Sequence, residues 1–112
     1  MIVCVPVTST GAIDPRWGRA ARVAVVEVQD RALVRWEEFE VGWDRLHDAA
    51  SEGGHHENVA RFLRDHRIDA VVANHMGDPM VQMLDRMGID VRLGASGDAG
   101  QAILFVSAGP AR

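Results

Sequence analysis

The chain has 112 residues with a formal net charge of -4, 47% hydrophobic and 25% charged residues. That length predicts one domain, residues 1–112, burying roughly 65% of its extended-chain surface. The balance excludes intrinsic disorder and collagen-like repeats, and a single cysteine excludes a disulfide scaffold. All twelve basic residues are arginine and none form a run, which argues against nucleic acid as a partner. No apolar run approaches the ~18 residues of a membrane span. The opening Met1-Ile2-Val3-Cys4-Val5-Pro6-Val7 lacks the basic start and small-residue cleavage site of a signal peptide. With the lone Cys4, this predicts a protein of the reducing cytoplasm.

Ile2 to Val7 is a continuous apolar run, as expected of a strand covered on both faces. Pro6 lacks an N–H and belongs at that strand's end. Thr8 to Gly18, with Gly11 and Asp14-Pro15, reads as one ordered loop. Arg22 to Val28 is a second strand, and a tight turn near Asp30-Arg31 leads to a third, Leu33 to Val41. Arg35, Glu37, Glu38 and Glu40 mark the third as a charged edge, protected against edge pairing. The polar stretch from Gly42 to Gly54 holds a short helix around Leu46 to Ala50. From His55 the pattern is helical, with Val59, Phe62 and Leu63 on one stripe. Asp69 to Asn74 is a fourth strand. Asp78 caps a helix with Pro79 in its first turn, Met80, Met83, Leu84 and Met87 facing inward, and Gly88 as its stop. Asp90 to Leu93 is a short fifth strand. A last helix follows Gly94 to Gly97, with Ala99, Ala102, Ile103 and Val106 inside and Gly109-Pro110 at its end.

The order β-β-β-α-β-α-β-α predicts an α/β fold. Its five-stranded mixed sheet has order 3-2-1-4-5 and helices on both faces, the ribonuclease H-like topology. Strands one, three, four and five then point the same way, and the loops after them gather where open α/β sheets bind ligands. Gathered there are Thr8, Ser9, Arg16, Trp17, Arg19, His55, His56, His75 and Ser96. His55, His56 and His75 form a candidate metal set, since imidazole is the commonest neutral metal ligand. Taken singly, the His55-His56 pair also reads as solvated in a glycine-rich loop, and His75 as bonded to backbone. His47 and His66 read as structural. Arg16 and Arg19, flanking Trp17, either clamp an anion or pair with surface carboxylates. Gly94 to Asp98 opens a helix and could present amides to an anion, while Ser96 serves equally as an N-cap and Asp98 argues against a phosphate.

Cys4, inside the central strand, reads as a small hydrophobe, and one thiol cannot supply the four thiolates of an iron–sulfur cluster. No nucleophile elbow, Walker loop or redox cysteine pair is present. The first strand, Cys4-Val5-Pro6-Val7, lacks the acidic residues of a two-metal nuclease.

Val5-Pro6-Val7-Thr8, then Asp14-Pro15-Arg16-Trp17-Gly18-Arg19-Ala20, open the chain. Val71 to Gly77 and Gly88 to Gly97 follow. Together, in this order and over nearly the whole chain, they resemble the dinitrogenase iron–molybdenum cofactor binding family. The resemblance implies a ribonuclease H-like, non-enzymatic carrier that holds an iron–sulfur or iron–molybdenum cluster during nitrogenase cofactor assembly. It also implies a cluster-assembly or nitrogenase-type protein as partner. The family usually has phenylalanine where Trp17 stands and a small residue in place of Cys4. In a carrier, His75 with His55 or His56 would contact the cluster, and Arg16 and Arg19 would offset its charge.

Two other readings stand beside the carrier. Trp17, Trp36 and Trp43 suit a metal-free interaction or regulatory domain that binds a small anion or a protein, though Trp36 could instead pack under the loop at Trp43. The three histidines with Glu57 as base suit a mononuclear metalloenzyme.

Overall fold

Strands β1 (Ile2–Pro6), β2 (Arg22–Gln29) and β3 (Ala32–Glu40) are followed by helix α1 (Glu52–Asp65) and β4 (Ala70–Val72). Helix α2 (Asp78–Arg86), β5 (Asp90–Arg92) and α3 (Ala99–Ser107) complete the chain order. A 3-10 turn, Trp17–Arg19, lies between β1 and β2. The structure, a computed structural model, describes residues 1–45 and 52–107, without the side chains of 52–55 and 107. The helix expected around Leu46 to Ala50 and the stop at Gly109-Pro110 lie outside the described residues.

The sheet runs β3-β2-β1-β4-β5, as the alternation of runs predicts. β2 is antiparallel to β1 and β3, while β4 and β5 run parallel to β1. Cys4, Val23 and Val71 turn to one face, where Val59 and Leu63 of α1 and Met80 and Leu84 of α2 pack. Val3, Val5, Ala24, Val26, Ala70 and Val72 turn to the other, against Ala99 and Ile103 of α3. β1 is thus covered twice, which is why its run is unbroken by polar residues. Each fully buried aliphatic side chain contributes about 1.5–3 kcal/mol relative to exposure.

Helix α1 spans Glu52–Asp65, so Gly53-Gly54 and His55-His56 are helical and do not form the loop expected before it. The apolar stripe decides this. Val59 and Leu63 are 0% and 1% exposed, and their burial outweighs the about 1 kcal/mol that each helical glycine costs. The cap expected at Asp78 is also displaced. Gly77 is the N-cap, Asp78 and Pro79 are the first helical residues, and no side chain closes the end. At the other end Gly88 donates to the Asp85 carbonyl and Ile89 to that of Leu84, both at 3.0 Å. With Gly88 at φ +76, these two bonds make the left-handed stop expected there.

Asp30 and Arg31, at φ +50 and +64, form the tight turn between Gln29 and Ala32. Both central residues being left-handed suits the right-handed twist of the flanking strands. β3 is an exposed edge: Arg22 pairs with Glu38 at 3.2 Å and Glu40 at 2.9 Å, and Arg35 with Glu37. Trp36 is opposite Val26, on the α3 face. It does not pack under Trp43, which belongs to the opposite face with Trp17 and Phe62. Its indole N–H bonds to Glu38 Oε2 at 2.9 Å.

Candidate functional site

β1, β3, β4 and β5 end on the same side of the sheet, where the segments 7–19, 73–77 and 93–98 meet. Beyond β1, Val7 bridges to Ile13 across a turn in which the Thr8 N–H reaches the Ala12 carbonyl at 2.8 Å. The Thr8 hydroxyl shares a 3.0 Å bond with Thr10 and accepts the Ala12 N–H at 3.3 Å. Ala12 then bridges to Asp98, with Ile13 N–H on the Gly97 carbonyl at 2.8 Å and Ala99 N–H on that of Gly11 at 3.0 Å. Asn74 fastens the third segment: its Nδ2 donates to the Ala95 carbonyl at 3.1 Å, and its own carbonyl accepts Gly94 N–H at 2.9 Å.

Asp14 organises the first segment. It is 5% exposed, and its Oδ1 accepts both the Arg16 backbone N–H at 3.0 Å and Arg16 Nε at 3.2 Å. Oδ2 accepts Nη2 at 3.4 Å. The hydrogen bonds that Arg16 donates to Asp14, the charge of Asp14 and that of Asp44 raise the pKa of the Arg16 guanidinium above its usual range. Arg16 in turn forms a parallel backbone bridge with His75. The loop after β1 and the segment after β4 are therefore one surface.

Of the expected site residues, Ser9, Arg16, Arg19, His75 and Ser96 are exposed, and Thr8 is half-buried. Trp17 is not on the surface. It is 2% exposed and packs edge-on against Trp43 at 5.2 Å, so it is core beneath Arg16 and Arg19. Its Nε1 is buried without a hydrogen-bond partner.

His56 is half-buried on α1; His55 is on the same helix, with its side chain outside the described residues. Consecutive helical positions do not face each other. Among the described residues no three His, Cys, Asp or Glu side chains are grouped to hold a metal ion. The set of His55, His56 and His75 includes His55, whose side chain lies outside the described residues.

Ser96 is not the cap of α3. Asp98 is, with Oδ2 accepting the Gln101 N–H at 2.9 Å, and its carboxylate occupies the positive helix end where an anion would otherwise sit. Ser96 lines a cleft of about 400 Å³ with Leu93, Ala102 and Phe105.

Asp14, Asn74 and Asp98 organise the site, and none of them is among the site residues expected from the sequence. The legible signal was Asp14-Pro15-Arg16, an aspartate able to bond the backbone two residues on. Cys4 supplies nothing here, since full burial pushes its thiol pKa far up. Among the described residues the edge offers one exposed imidazole, two arginines and several hydroxyls. That donor set fits a preassembled anionic group held by charge and few bonds, and does not fit a thiolate-ligated cluster.

A family model described as dinitrogenase iron-molybdenum cofactor matches residues 1–109. The chain belongs to the dinitrogenase iron-molybdenum cofactor family. Among solved structures, this family member is similar to the apo form of the orange protein from Desulfovibrio gigas. The two are 25% identical with a TM-score of 0.75, over 99% of this chain and 96% of that one. PH0822 is 20% identical with a TM-score of 0.75, over 96% and 91% of the two chains. A NifB-like DUF35 protein from Thermotoga is 18% identical with a TM-score of 0.73, over 96% and 88%. No curated protein matches the chain. Among the described residues, no helix is long and apolar enough to cross a membrane.

Proposed function

We propose that this member of the family is a non-enzymatic carrier, acting in the cytoplasm as one domain. Its cargo is a preassembled iron–sulfur or iron–molybdenum type cluster, held at the edge built by segments 7–19, 73–77 and 93–98. The observation that carries this reading is the Arg16–His75 bridge. It sets a guanidinium-bearing and an imidazole-bearing position side by side, in a family named for that cofactor. His75 contacts the cluster, with His55 or His56 as a second contact. Arg16 and Arg19 offset its negative charge, Ser96 borders it, and Trp17 supports the arginine-bearing turn from beneath. The strand order supports a ribonuclease H-like description of the scaffold. Delivery is to a cluster-assembly or nitrogenase-type protein.

The test is anaerobic purification from an iron–sulfur-competent host, with elemental analysis and a visible spectrum. Bound iron with a charge-transfer shoulder, lost in His75→Ala and weakened in Arg16→Gln, is expected. Colourless, metal-free protein that also refuses an offered preformed cluster would end the carrier reading. A tightly co-purifying protein or small anion would then support the metal-free interaction domain.

A further inference from the structure

Among the described residues the sheet ends on two open strands, β5 with three residues and β3 with nine. Hydrogen bonds fix which backbone groups of β3 face outward. Val7 N–H bonds to the Arg22 carbonyl and Val28 N–H to that of Met1, so the even positions of β2 turn to β1. Val23, Val25 and Glu27 therefore turn to β3, where their partners are Phe39, Glu37 and Arg35. By alternation, Trp36 and Glu38 present their N–H and C=O groups to the open edge. Trp36 is 36% exposed and Val34, beside the bulge, 54%: these are the two large apolar side chains that the strand exposes, among exposed Arg35, Glu37, Glu38 and Glu40.

We propose that two copies of this chain pair antiparallel along β3, with the two-fold axis at Trp36. In that register Arg35 of each copy lies opposite Glu37 of the other. These are non-hydrogen-bonded positions, where side chains come closest, and opposite charges there stabilise the pairing. Charge selects the pivot. An axis at Arg35 or Glu37 would set like charges face to face, and one at Glu38 would do the same. The charges that keep foreign strands off this edge are thus self-complementary in one register. The contact is isologous, so it closes at a dimer and forms no fibre. It also joins the two five-stranded sheets into one. The proposal does not depend on the nature of the cargo.

Sedimentation of the wild-type protein over a wide concentration range is the first measurement, and a reversible dimer is expected. Arg35→Glu and Glu37→Arg should each weaken association about tenfold, while the double variant restores it. Melting at a concentration where all variants are monomeric controls for the loss of the Arg35–Glu37 pair within each copy. Trp36→Cys tests the register independently: directly opposed positions about 5.5 Å apart at Cα suit a disulfide, so mild oxidation should yield a cross-linked dimer. A protein that stays monomeric to about 0.5 mM would overturn the proposal. So would a dimer indifferent to both reversals, or one abolished instead by Val91→Pro on the β5 edge.

Discussion

Arg16 and His75 are joined in a parallel backbone bridge, which ties the loop leaving β1 to the segment leaving β4. The bridge depends on Asp14, whose buried carboxylate holds both the Arg16 backbone and its side chain. Asp14→Asn keeps an acceptor for the backbone N–H but removes the charge. It should cost about 1 kcal/mol in urea unfolding and weaken cluster uptake, whereas Asp14→Ala should cost about 2 kcal/mol. Equal stability in all three proteins would mean that the backbone bridges alone hold the loop.

Trp17 combines large apolar burial with an indole N–H that has no partner. An unpaired buried donor costs about 1–3 kcal/mol, so removing it offsets part of any loss of packing. Trp17→Phe should therefore cost less than about 1.5 kcal/mol in chemical denaturation, against about 3–5 kcal/mol for Trp17→Ala. A similar loss in both variants would show that ring volume alone decides stability here.

Cys4 sets an alkaline limit. Burial raises its thiol pKa in the folded chain above the ordinary value of 9.0. Below pH 9 both states hold the proton and the group contributes no pH dependence. Above it the unfolded chain releases the proton first, so stability falls as pH rises, by up to about 1.4 kcal/mol per pH unit. Thermal melts from pH 7 to 10.5 should show this slope in the wild-type protein and less of it in Cys4→Ala. A thiol reagent should label Cys4 at the rate of unfolding.

Two left-handed positions make opposite predictions. Arg31 adopts φ +64 at the β2–β3 turn, where glycine is freer, so Arg31→Gly should stabilise by about 0.5 kcal/mol. Gly88, at φ +76, has open space where a Cβ would stand. Gly88→Ala therefore meets backbone strain without a clash, and should destabilise by about 1 kcal/mol. Paired melting curves check both signs.

The order of strands and helices, their directions, and hence the end of the sheet where the loops gather are legible along the chain. Each of those conclusions sums a periodic pattern over many residues, as in the unbroken run Ile2–Val7 or the stripe at Val59, Phe62 and Leu63. The fate of single side chains emerges only when distant segments pack together. Trp17 is core and Trp36 is exposed, although nothing local distinguishes two tryptophans. Helix α1 absorbs Gly53-Gly54 because its stripe has a sheet to pack on, which puts His55 and His56 on a helix and not in a glycine-rich loop. Asp98, two residues beyond Ser96, takes the cap of α3 because the Ala12–Asp98 bridge fixes where that helix begins. A cap, a buried face or a ligand set depends on which distant segment arrives beside it, and periodicity along the chain carries no record of that.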